Sequence, residues 1–337
     1  MMITRAALAI ALALGVLVAP LAAEAQQTRK VARVGFLAFG PSPSQEQIAQ
    51  SPFVAAMRER GWVEGQNLVI ERRFGESADQ LHASAAELGR LKVDVLVVQS
   101  AGLATIAGLE AKNTPIVINA SGLDLVRIGL VASLSRPGGN ITGSQILQDD
   151  LFGKRLQLLK ELVPNLSRVA SLDESVTTSE DLMSKERARR QERDPVAARS
   201  LGLELHFYTA ARSEDFPALF GDMVKKGDRG LTVLATPFIV LHRKQIIDLA
   251  ARHRIPASYS STQFVEAGGL MSYGADRSVR IRRTALFVDN ILKGAKPGDL
   301  PIEQSTKFEL AINLKTAKAL GLTIPRSLLL QADHVVE

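Results

Sequence analysis

The residues of this chain that could do chemistry are five histidines, many carboxylates and no cysteine. His82, His206, His242, His253 and His334 stand at no metal-motif spacing from one another, so ligation is not expected. Without cysteine there is no thiolate nucleophile, disulfide or Cys-ligated metal. The turn after the first β-rich run reads Phe39-Gly40-Pro41-Ser42-Pro43-Ser44. It lacks the G-x-G-x-x-G spacing, and its two prolines delete N–H donors that a pyrophosphate would need. Neither G-x-x-x-x-G-K-[ST] nor G-x-S-x-G occurs, which argues against a P-loop ATPase and an α/β-hydrolase. Glu161, Asp173 and Asp215 fit helix-end or loop positions. Paired carboxylates, or a Ser/Lys pair, meeting across a cleft would make an enzyme, which stays as the lesser alternative. The expectation is a binding protein, not an enzyme, with no catalytic residues, metal or cofactor.

The elements that must position these residues alternate between short β-rich runs and longer amphipathic segments, the pattern of βα units and parallel sheets. In the first half the runs are 31–37, 67–74, 93–99 and 115–119, with helices expected over 46–60, 77–91 and 101–111. Gly61 stops the first helix, and Ser77 is placed to cap the second. After the turn Arg136-Pro137-Gly138-Gly139 an extended segment, 140–146, leads into a second series. That series has a helix over 149–162 and a strand over 167–172, then β runs 204–208, 231–235 and 255–259 with helices 213–226 and 239–253. The tail, with strand 269–273, helix 276–293, strand 307–314 and helix 314–320, is too small for its own core and should complete the two sheets. The reading is thus two α/β lobes with the chain crossing near 144, 268 and 306. One lobe is expected over 31–143 plus 270–305, the other over 144–269 plus 306–330. Several crossovers side by side make a hinge with a cleft between the lobes. The charged segment 179–199 is expected to be a solvated helix, pairing Glu186 with Arg190 and broken at Asp194-Pro195.

Residues 1–25 read as a cleaved export signal: Arg5, an apolar stretch over 6–23, then Ala23-Glu24-Ala25 before Gln26. No later stretch reaches the roughly 18 apolar residues of a membrane span. With neither span nor lipid-bearing cysteine, the exported chain is expected in a periplasm. The 337 residues exceed one ordinary core, and the formal charge of +6 is kept after signal removal because Arg5 and Glu24 cancel. At 5% aromatics and without a reader motif, nucleic acid is not expected as a partner. Solubility, or attraction to an acidic solute, is the simpler account of the charge.

Six stretches resemble the ABC transporter substrate-binding proteins of the tryptophan/tyrosine-binding type. They are GWVEGQNLVIERRF (61–74), AAELGRLKVDVLVV (85–98), GLVASLSRPGGNITG (129–143), GKRLQLLKELVPNLSRVA (153–170), FVEAGGLMSYG (264–274) and KFELAINLKTAKALGLTIPRSLLLQADHVVE (307–337). The resemblance implies a class I periplasmic binding protein fold, with two Rossmann-like lobes on parallel sheets. It implies a monomeric receptor that closes on one small solute, often an aromatic or other apolar amino acid, and presents it to an ABC permease in the inner membrane. A sensory module feeding a membrane kinase is the other reading of such a receptor. Two departures touch the expected cleft: Ser171-Leu172-Asp173-Glu174-Ser175 replaces a Trp-Asn-Pro-like stretch, and Asp124-Leu125-Val126 replaces Asp-Pro-Val.

In such sheets ligands bind beyond the carboxyl ends of strands, where helix N-termini offer N–H groups to anions. The candidate contacts are therefore Phe39, Gly40 and Ser42 after the first strand, and Ser100, Ala101 and Gly102 after the third. Ser121 and Asp124 follow the fourth, with Asp124 able to pair with an ammonium group. The second lobe offers Asp173, Pro237, Tyr259 and Ser260, and the returning strand Tyr273.

Overall fold

The computed structural model describes residues 31–146, 148–175 and 180–337. The expected export signal lies outside them. Two α/β sheets form. The first has strands β1 (Ala32–Phe39), β2 (Leu68–Gly75), β3 (Val95–Val98), β4 (Ile116–Ser121) and β5 (Ile141–Gln145). The second has β6 (Arg168–Glu174), β7 (Glu204–Ala210), β8 (Gly230–Val233), β9 (Ala257–Tyr259) and β10 (Met271–Ala275). The tail adds β11 (Glu303–Gln304) to the first sheet and β12 (Phe308–Asn313) and β13 (His334–Val336) to the second. The orders are β11-β5-β4-β3-β1-β2 and β13-β12-β10-β9-β8-β6-β7.

Every residue of β3 and of β8 is buried, as expected for strands covered on both faces by helices. Leu81, Leu88, Leu103 and Ile106 cover one face of the first sheet. Phe53, Met57, Ala285 and Val288 cover the other. In the second sheet Phe216, Phe220 and Ile246 lie on one side, and Leu156, Leu159 and Leu203 on the other.

The strand pairs are parallel with one exception, β10 with β12. Its cause is the route of the chain. The chain leaves β10 for the first lobe and returns from there into β12, so the two run in opposite senses.

The middle crossover differs from its expected place. β10 pairs with β9 and β12 in the second sheet, so the chain crosses at Ala275–Arg277 and not near 268. Gly268-Gly269 reads as a break but is a tight helix end: Gly268 N–H donates to Val265 and Gly269 N–H to Phe264. The helix Arg277–Leu292 then packs on the first sheet, where Asp289 accepts from Trp62 Nε1 at 2.8 Å. The second sheet also extends past residue 330 through β13.

The charged segment is one continuous helix, Glu180–Ser200, with Pro195 inside it and no break. Nor is it solvated along its length: Glu186, Asp194 and Ala198 are buried. Glu186 and Arg190 do not pair with each other. Glu186 accepts from Arg127 at 2.8 Å, and Arg190 donates to Asp173 at 2.6 Å. Partners distant in sequence outcompete the local spacing.

Candidate functional site

A cavity of about 500 Å³ opens between the lobes, lined by residues of both. The strand ends build it: Phe39 closes β1, Gln99 and Ser100 follow β3, and Asn119 and Ala120 lie in the last half of β4. From the second lobe come Glu174 at the end of β6, Thr236 and Pro237 after β8, and Ser260 and Ser261 after β9. Arg277, Arg280, Ile281 and Thr284, one face of the crossover helix, complete the wall. A second depression of about 460 Å³, beside Pro217, His242 and Arg252, is lined by the second lobe only.

Of the candidate contacts, Phe39, Ser100, Ala101, Gly102, Pro237 and Ser260 line the cavity together. Ser100 caps the helix Ala101–Glu110, its hydroxyl accepting from Leu103 N–H. The first N–H groups of a helix lack intrahelical partners, so Ala101 and Gly102 bring donors to the cavity wall. Ser260 Oγ accepts from Ala235 N–H at 2.8 Å, which leaves its own O–H to donate.

The other candidates do not line the cavity. Gly40 takes φ +115° beside the Leu241 side chain, and Ser42 is exposed. Ser121 closes its own turn, donating to Leu123 O at 2.7 Å and accepting from Leu123 N–H. Asp124 accepts from the N–H groups of Val126 and Arg127 and does not line the cavity. Asp173 is held by Arg190 and by Glu174 N–H. Tyr259 is 1% exposed and stacks on Phe264 at 4.4 Å. Burial pushes its phenol well above the usual range. Tyr273 packs on Phe308 at 6.2 Å.

Several cavity residues escape the sequence reading. Gln99 precedes Ser100 and accepts from Phe39 N–H at 3.0 Å, joining two strand ends. Thr236 caps the helix that Pro237 opens, a Thr-Pro start legible in the sequence. Asn119 accepts from Thr284 at 2.9 Å, leaving its amide N–H₂ to donate. Phe36, Phe53 and Phe238 supply apolar wall; Phe36 and Phe53 meet at 6.0 Å, and Phe39 crosses the cleft to Phe238 at 6.3 Å.

Three ionisable side chains of the cavity, Glu174, Arg190 and Arg280, each keep a buried atom without a hydrogen-bond partner. Glu174 is 6% exposed, and its buried Oε2 has no hydrogen-bond partner. Burial pushes its carboxyl up to about 8; Asp173 adds to this, while Thr236, Arg190 and Arg187 oppose it. The buried Nε of Arg280 likewise lacks a partner. Burial, with a smaller push from Arg277 and against the opposing pull of Glu309 and Asp276, lowers its guanidinium to about 10, still charged at neutral pH. The cavity can therefore offer one neutral buried acid, unneutralised cationic donors, hydroxyl and amide donors, and a phenylalanine wall.

The sequence matches the family described as ABC transporter substrate binding protein over residues 34–336. It is 24% identical over 297 residues to a tyrosine-binding protein of Clostridioides difficile, spanning 88% of this chain and 82% of that one. Among solved structures, a conserved domain protein from Vibrio cholerae is 25% identical with a TM-score of 0.78, covering 91% of this chain and all of that one. An ABC domain in complex with L-Trp from Streptococcus pneumonia is also 25% identical, with a TM-score of 0.76, covering 90% of this chain and all of that one.

Proposed function

Because the chain belongs to the ABC transporter substrate binding protein family, we propose that it is the solute receptor of an importer, closing its two lobes on one small apolar or aromatic acid. The observation that carries the reading is the inter-lobe cavity, where strand ends bring donors, cations and four phenylalanines to one space. Its size falls within the roughly 300–1,000 Å³ usual for small-molecule sites. A relative named for tyrosine and one solved with L-Trp support an aromatic amino acid or an acid of similar size. The acids Asp173 and Glu186 are tied to Arg190 and Arg127.

The receptor works in the periplasm, exported by the segment 1–25, and only its closed form docks on the inner-membrane permease. Among the described residues no helix is long and apolar enough to cross a membrane. Micromolar binding requires about 8 kcal/mol net of the cost of closure. Charge-assisted bonds to one end of the solute and a buried aromatic face at the other supply energies of that order.

A thermal-shift screen of amino acids, aromatic acids and purines tests the reading. A solute at a hundred times its Kd adds about 2.7 kcal/mol, a rise of several degrees. Acids with an apolar body should raise the midpoint and purines should not. Turnover of a compound that produces no shift would replace the receptor with an enzyme.

A further inference from the structure

The carboxylates around the cavity are nearly all committed within the protein. Asp173 holds Arg190, Glu186 holds Arg127, and Asp124 caps its own turn. Asp276 accepts from Ser278 and Val279 N–H and from Lys307 Nζ, and Glu309 pairs with His334. Glu174 keeps a buried oxygen without a partner, and burial favours its neutral form.

The cations are committed less. Arg277 and Arg280 lie three residues apart on the crossover helix and both line the cavity, and among the described residues neither forms an ion pair with a carboxylate. The nearest acid in sequence, Asp276, is already shared between a helix cap and Lys307. Two guanidinium groups of like charge side by side, one with a buried unpartnered nitrogen, raise the energy of the empty site. An anion between them would relieve the repulsion. Phe36, Phe53 and Ile281 pack together in the same wall, giving the anion an apolar body to be joined to.

We propose that the solute is an organic acid without an ammonium group, its carboxylate held by Arg277 and Arg280 and its apolar body by Phe36, Phe53 and Ile281. This rests on the receptor reading and narrows it away from the amino acids of the relatives. A guanidinium fork matches a carboxylate in geometry as well as charge. An α-ammonium would enter a space where Arg277 and Arg280 are positive and the buried Glu174 is neutral.

Calorimetric titration of the purified protein with two matched sets separates the alternatives. The first set is 3-phenylpropionate, L-phenylalanine and phenethylamine; the second is indole-3-propionate, L-tryptophan and tryptamine. At least one ammonium-free acid should bind tenfold or more tighter than its amino acid, and neither amine should bind. Arg280→Gln should weaken that acid about ten- to hundred-fold, with Arg280→Lys in between. The same Arg280→Gln substitution should raise the melting midpoint of the empty protein, because it removes an uncompensated charge that a purely structural arginine would not carry. An amino acid binding more tightly than its ammonium-free counterpart, or unchanged affinity in Arg280→Gln, overturns the inference and leaves the receptor standing. Failure of all six compounds overturns it too, while the wider solute screen decides the receptor reading by itself.

Discussion

Glu174 is where burial and charge are most at odds. Its folded carboxyl, near 8 against an ordinary 4.5, keeps a proton that the unfolded chain has released over the interval between these values. Stability then falls as pH rises through that window, because the folded state must either hold the proton or bury a charge. The groups facing it are Asp173, Arg190, Arg187 and Thr236; burial, aided by Asp173, outweighs the opposing pull of Thr236, Arg190 and Arg187. Denaturation of the wild type and Glu174→Gln at pH 5 and pH 8 checks this. The wild type should lose up to a few kcal/mol more than the variant over that interval. Equal losses would mean that Glu174 is ionised in the folded protein. In the sequence Glu174 stands out only as part of an altered loop, because its burial and the flanking Asp173–Arg190 pair depend on how the helix Glu180–Ser200 packs, with Arg190 seventeen residues from Asp173. Ser100 and Pro237 were legible because a cap and a first-turn proline are local signals. Asp124 marks the limit of local signals: its type suits an ammonium, while its Oδ1 accepts from the N–H groups of Val126 and Arg127.

At the scale of elements, the strands and helices were largely legible from apolar runs and caps, and the crossover was not. The Gly-Gly of 268–269 looks like a hinge in the sequence, whereas packing makes it a constriction: a Cβ on Gly269 would stand 2.7 Å from the Tyr259 ring and 2.8 Å from Phe264 O. The crossing element begins later, after Gly274, where a Cβ would lie 2.1 Å from Ser260 O. Backbone cannot yield as a side-chain tip does, so Gly274→Ala must push β10 away from β9. The expected cost is about 2 kcal/mol or more, seen as a fall of several degrees in melting midpoint. Because Ser260 also lines the cavity, the same substitution should weaken solute binding, which a titration reads separately. An alanine variant as stable as the wild type would show that the two strands separate freely there. The helix Glu180–Ser200 makes the complementary point: its charge density reads as solvation, but its charges are spent on Asp173 and Arg127, which come from β6 and from the other lobe.

The two lobes of the whole molecule follow from the repeated βα alternation, but how they meet depends on contacts between residues far apart in sequence. Arg127, in the loop after β4, reaches Glu186 on the second-lobe helix at 2.8 Å, and Phe39 meets Phe238 across the same gap. Glu186 is buried and Arg127 about one-third exposed, so their bond is partly screened and is assigned about 1 kcal/mol. That energy shifts a balance between open and closed forms about fivefold, enough to matter when the forms differ by only a few kcal/mol. Arg127→Glu replaces the attraction by repulsion and should open the empty protein, seen as a larger radius of gyration in solution scattering. Solute should close it again at a weaker apparent affinity, since part of the binding energy is then spent on closure. The exchanged pair, Arg127→Glu with Glu186→Arg, should recover the wild-type radius, which separates the cross-lobe bond from local damage at either residue. If the single reversal leaves the radius unchanged with and without solute, the clamp is not governed by this contact, and the hinge strands at Ala275–Arg277 and 305–307 must set its resting angle.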